Sequence, residues 1–161
     1  FNLIQIFATN DLELIKTLTD TVIVLDTGKI IEKQPAINFF MQPTSKVGKD
    51  FIKLKARQEL PTSLKKALKP NALVQDNLYT AIFRATYEQN NKSELVFSKI
   101  IEELDAKFNI IAAHQEKIQD ISINIMLMEL TLTQENLTRA IDLLAENKIN
   151  AEELGYVSRN I

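Results

Sequence analysis

Few side chains in these 161 residues have the type or spacing for chemistry, and most exclude more than they suggest. His114 is the only histidine and cysteine is absent, so neither a His-based nor a thiolate metal cluster is expected, and no disulfide. Glu102 and Glu103 are adjacent in a helical pattern, point in different directions and make no general acid–base pair. The only glycines are Gly28, Gly48 and Gly155, so the chain contains no G-x-x-x-x-G-K-[ST] loop to cradle nucleotide phosphates. Thr9-Asn10-Asp11 reads as a turn at a helix start, with Asp11 as the cap. Lys53, Lys55, Arg57, Lys65, Lys66 and Lys69, around Pro61 and Pro70, read as a solvated connector rather than a phosphate patch. The sequons at Asn91 and Asn136 carry no meaning without a secretion signal.

Composition is that of soluble material, 45% hydrophobic and 25% charged. No apolar run approaches the roughly 20 residues needed to cross a bilayer, and Asp11 and Glu13 interrupt the apolar start. A cytoplasmic location is expected. The formal charge of −2 hides an asymmetry: residues 1–76 carry 11 basic and 8 acidic side chains, residues 77–157 carry 7 and 13. At a net −6, the second block is a poor partner for nucleic acid.

The elements fall into two designs. In the first block, Asn2 to Ala8 alternates as a buried strand should, and Asp11 caps a helix running to about Asp20. Thr21 to Leu25 is a β-branched run typical of a strand covered on both faces. Asp26-Thr27-Gly28-Lys29 then turns the chain into a return strand, Ile30 to Lys33, and a short helix follows from Pro35 to Met41. A doubly covered strand needs layers that these residues do not supply, so residues 1–52 read as the tail of something larger. Residues 53–76 form the connector, with a helical stretch near Ser63 to Lys69 capped by Thr62 or Ser63. The order strand, turn, helix, then V-I-V-L-D-x-G-K-I-I-E hairpin resembles the end of an ATP-binding cassette ATPase domain. In that family a T-H-D/E motif sets a switch histidine beside the γ-phosphate; the matching residues are Thr9, Asn10 and Asp11. Asn10 can hydrogen-bond a phosphate but cannot carry a proton near neutral pH, so the switch position is degenerate.

From residue 77 to residue 157 hydrophobic periodicity runs in the order β-α-β-β-α-β, the split arrangement of an α+β ferredoxin-like domain. The strands are expected at Leu78 to Tyr87, Lys107 to Ala113, Ser122 to Leu132 and Asn150 to Leu154. The helices are expected from Ser93 to Leu104 and from a Thr133 cap to Asn147. Both helices should cover one sheet face, leaving the other open, with Met126, Met128 or part of the first strand as a partner surface. On its own, Asn109 after a helix reads as a cap or turn residue.

The runs F-N-I-I-A-A-H (Phe108 to His114), N-I-M-L-M-E-L (Asn124 to Leu130) and E-E-L-G-Y-V (Glu152 to Val157) resemble the NIL domain. That domain is appended to the ATPase subunit of bacterial methionine importers, and the order of ATPase-like tail, connector and NIL-like block extends the resemblance over nearly the whole chain. The resemblance implies an ACT-like regulatory domain that forms a homodimer through its sheet and binds L-methionine near the interface to hold transport inactive. It makes Asn109 the polar anchor of a bound amino acid, with Ile110, Ile111 and Gln115 shaping the pocket. It also implies a membrane subunit as partner of the full-length ATPase, peripheral to the inner membrane. No cofactor is implied. Ala113 and Asn124 stand where many relatives carry glycine, Gln89 replaces another glycine, and Gln115 sits where a methionine can line the pocket. Three functions follow: an amino-acid-sensing regulatory region, a purely structural dimerisation module, or an ATPase whose missing parts come from elsewhere.

Overall fold

The structure, a computed structural model, describes residues 3–55, 60–71 and 77–158. Expectations resting on Asn2, Arg57 and Asp76 lie outside the described residues. The chain divides into two compact units, the first built mainly on residues before Leu60 and the second on the rest.

In the first unit, Asp11 caps helix α1 (Leu12–Leu18) by accepting a bond from the Glu13 N–H. Strands β1 (Thr21–Asp26) and β2 (Lys29–Pro35) form the expected antiparallel hairpin. Its turn is a left-handed pair, Thr27 at φ +47° and Gly28 at φ +77°, as a tight hairpin requires. Helix α2 (Ala36–Met41) follows and buries Phe39 and Phe40 with their rings edge to face. Helix α3 (Lys46–Lys55), which periodicity did not single out, packs Ile52 into the same small core and brings the Phe51 ring to Phe39.

The strand expected before Ala8 is absent, and β1 lacks the second cover that these residues do not supply, for one reason. Residues 3–10 have no regular structure and leave Ile4 and Ile6 exposed, and β1 buries Val22 but exposes Ile23 and Leu25. A strand needs ladder partners and a buried one needs layers; among the described residues β1 pairs only with β2 and nothing pairs with residues 3–10.

Helix α4 (Thr62–Ala67) begins the second unit, with Pro61 rather than a Thr62 or Ser63 side chain at its cap position. The sheet comprises β3 (Tyr79–Glu88), β4 (Lys107–Ile118), β5 (Ile121–Leu132) and β6 (Asn150–Tyr156), ordered β4-β5-β3-β6. With α5 (Asn91–Glu103) and α6 (Gln134–Glu146) as crossovers, this is the ferredoxin-like order. Asn90 rather than Ser93 caps α5, accepting from the Ser93 N–H at 3.0 Å, and Thr133 caps α6 as expected.

The core lies between helices and sheet. Ala81, Phe83 and Ala85 of β3 meet Val96 and Ile100 of α5, and Leu137, Ala140 and Leu144 of α6. Met126 and Met128 also face this core, Met128 fully buried, which corrects their expected placement on an open face. Alternation explains it: the even-numbered residues of β5 continue the row that Leu130 and Leu132 begin under the helices. The opposite face carries Thr80, Ile82, Arg84 and Thr86, all buried. There Thr80 and Thr131 pair hydroxyl to hydroxyl at 3.0 Å, and Arg84 donates to Glu152 at 2.7 Å, each with its direct cross-strand neighbour. Beyond β6 the segment after α4 adds one bridge, Lys69 and Tyr156 exchanging backbone bonds of 2.8 and 2.9 Å.

Candidate functional site

All four residues that the family resemblance singles out lie on β4, the edge strand of the four-stranded sheet. The strand starts where it does because Asp105, at φ +51°, turns the chain out of α5. Phe108 then anchors it: its ring sits 5.7 Å from Phe97, which is 5.5 Å from Tyr87, so an aromatic row ties β4 to α5 and β3. Asn109 is the third residue of the strand, neither a cap nor a turn, and its side chain is exposed. Ile110 is 53% exposed and Ile111 half-buried, so the motif presents one amide and one large apolar side chain to solvent. His114 is exposed.

Gln115 is held in a small network. Its Nε2 donates to Gln89 Oε1 at 2.6 Å and lies 3.4 Å from Asn124 Oδ1. Gln89 follows β3 and is fixed by its own backbone N–H on the Ser122 carbonyl at 2.9 Å, while Asn124 pairs with Tyr87 across β5 and β3. The sequence marks these three residues one at a time as departures from the family pattern. Their meeting was not foreseen; the pairing of β3 with β5 and the two-residue turn at Gln119-Asp120 are the signals that place them at one end of the sheet.

Asn109 and Gln115 are not brought together. Six residues of extended strand separate them by about 20 Å, more than one free amino acid spans. Along its outer edge β4 has no strand partner among the described residues, so its backbone N–H and C=O groups on that side are available for another strand. Asn10 lies far from this in sequence, exposed beside the Thr9-Asp11 turn, in which the Asp11 N–H donates to Thr9 Oγ1 at 3.0 Å. Among the described residues no group of three or more His, Cys, Asp or Glu side chains is arranged to hold a metal ion, and no helix is long and apolar enough to cross a membrane.

The ferredoxin-like sheet, its edge strand and the Asn-Ile-Ile run together define a domain class: residues 81–153 match the family model of the NIL domain, and the C-terminal block is a NIL domain. The match to known proteins reaches further. Over 98% of its length the chain is 32% identical to "Methionine import ATP-binding protein MetN" of Coxiella burnetii. Over 95% it is 24% identical to the protein of that name from Francisella tularensis subsp. holarctica, and over 97% it is 27% identical to "Methionine import ATP-binding protein MetN 1" of Paraburkholderia xenovorans. The chain is similar to these proteins over nearly its whole length and spans less than half of theirs, 43 to 44%.

Proposed function

We propose that this chain is the regulatory C-terminal region of a methionine-type importer ATPase subunit, sensing a cytoplasmic amino acid along β4 of a NIL-domain homodimer. The carrying observation is that Asn109, Ile110, Ile111 and Gln115 all lie on an edge strand whose outer side has no strand partner among the described residues. Two copies pairing antiparallel along β4 would satisfy that row and bury Ile110. The 20 Å separation also favours a shared site. In a symmetric antiparallel register centred on Ala112, Asn109 of one protomer stands opposite Gln115 of its partner, twice over. An amide at Asn109 both donates and accepts, so it can address the ligand's carboxylate or ammonium group. Residues 1–52 are read as the last part of the ATPase domain and residues 53–76 as the connector to the NIL domain at 77–157. The full-length protein would sit at the inner membrane against its membrane subunit. The chain alone, lacking a phosphate loop, should not hydrolyse ATP.

Calorimetric titration of L-methionine into the purified chain, with sedimentation on the same sample, tests this reading. Saturable binding to a dimer supports it; a monomer at tens of micromolar defeats it. A second reading, a dimerisation module without a small ligand, is favoured by the engagement of Gln115 with Gln89 and Asn124. A dimer that takes up no amino acid would decide for it.

A further inference from the structure

We propose that the Gln89, Gln115 and Asn124 amides select the ligand's side chain, so that the site takes an amino acid bearing a carboxamide, glutamine or asparagine, in preference to methionine. This rests on the reading that an amino acid is bound along β4. The three amides come from three segments, the end of β3, β4 and β5, and share a single donor: Gln115 Nε2 serves both Gln89 Oε1 at 2.6 Å and Asn124 Oδ1 at 3.4 Å. Among the described residues three groups are thereby left over, Gln115 Oε1 as an acceptor and the N–H groups of Gln89 and Asn124 as donors.

A neutral cluster that offers both signs asks for a neutral partner that offers both. A carboxamide does so, donating to Gln115 Oε1 and accepting from Gln89 or Asn124. A thioether accepts weakly and donates nothing, so seating a methionine side chain here would strip water from three amides without replacing their bonds. A site built to hydrogen-bond its ligand discriminates most strongly against the isostere that cannot, because the protein's own polar groups are then left unpaired. A side-chain carboxylate would meet Gln115 Oε1, and an ammonium group the amide donors. Replacing Gln115 by methionine would remove the shared donor and put an apolar side chain in its place.

The test is calorimetry on the whole chain with L-glutamine, L-asparagine and L-methionine in separate titrations, repeated on Gln115→Met, Gln89→Ala and Asn109→Ala. In the parent chain the better of the two amide amino acids should bind at least about tenfold tighter than methionine. Gln115→Met should reverse that order, Gln89→Ala should weaken the carboxamide ligand alone, and Asn109→Ala should weaken all three. Gln115 and Gln89 are exposed, so both variants should keep the parent's circular dichroism and melting temperature. Methionine binding tighter than both amides in the parent would overturn the inference and leave amino-acid sensing intact. Unchanged glutamine and asparagine affinity in Gln115→Met would overturn the assignment to this cluster. No binding of any of the three at about 10 mM would overturn both the inference and the sensing reading.

Discussion

Asn109 and Glu32 are polar residues with opposite tasks, and exposure separates them. Asn109 is exposed on an edge strand where no described neighbour depends on it, so Asn109→Ala should leave the ligand-free melting temperature nearly unmoved. Its effect should appear on binding: loss of a charge-assisted bond of about 1.5 to 3 kcal/mol weakens L-methionine tenfold to hundredfold. Calorimetry showing unchanged affinity would reject Asn109 as the anchor. Glu32 is 5% exposed and accepts from the Thr44 N–H at 2.7 Å, the Ser45 N–H at 3.0 Å, the Ser45 hydroxyl and Gln34. Burial raises its pKa, but the bonds from Ser45 and Thr44 prevail and leave it below the ordinary 4.5. Because the folded value is the depressed one, this contribution to stability is full above pH 4.5 and is lost as pH falls through the lowered native value. Glu32→Gln should therefore destabilise the first unit at neutral pH by about 1.5 to 3 kcal/mol and flatten its acid dependence, read by urea melts from about pH 7 to about pH 3. Gly48 sets a limit on the same cluster, since a Cβ there would come within 2.6 Å of Glu32 Oε2.

At the scale of elements, Gly155 shows how a single position lets the segment after α4 join the sheet. Its φ of +137° suits glycine, and a Cβ there would lie 2.8 Å from the Lys69 carbonyl oxygen, the acceptor of the Tyr156 N–H. The residue also sits at a register shift where β6 crosses Ile82 and Phe83. Gly155→Ala should cost about 1 to 3 kcal/mol and expose the Tyr156 and Lys69 amides to hydrogen exchange ahead of the sheet centre. Retained protection at both amides would show that the bridge tolerates a side chain. The sequence ends β6 at Leu154, before this glycine, whereas the strand runs through it to Tyr156; nor does the sequence foretell the bridge, because Lys69 carries no strand pattern and pairs only through its backbone. Strands β3 and β5 and helix α6 were legible for the opposite reason. Their apolar residues follow periods of 2 and 3.6, and the partners that bury them, Phe83, Met128, Leu137 and Leu144, belong to the same domain. Residues 3–8 have an equally good strand pattern and no strand, since a pattern states which side is apolar and not whether a neighbour is there to pair. Of the candidate site, Asn109 and Gln115 are named through the family resemblance and not from local pattern, whereas the contact of Gln115 with Gln89 and Asn124 depends on register, which no local window contains.

For the whole molecule, the proposed homodimer makes a definite demand on how two copies of β4 would pair. A two-fold axis through an antiparallel strand pair makes every pairing i with j also j with i, so one residue at most faces itself. The pairing that sets Asn109 opposite Gln115 of the partner subunit places that axis at Ala112, midway between them. Ala112 is exposed, and the chain has no cysteine of its own, so a single introduced thiol reports on one position without interference. Directly opposed residues of an antiparallel pair lie about 4.5 to 5.5 Å apart at Cα, inside the 4.4 to 6.8 Å range that a disulfide spans. Ala112→Cys should oxidise to a covalent dimer on non-reducing gels, and Lys117→Cys should not, because a shift of five residues on each strand carries the two thiols about 30 Å apart. Closure of the disulfide should also raise the melting temperature and make it independent of protein concentration, as expected when an association is made intramolecular. Cross-linking at Lys117→Cys instead of Ala112→Cys would move the axis away from the Asn109 to Gln115 pairing, and the shared site would fall with it.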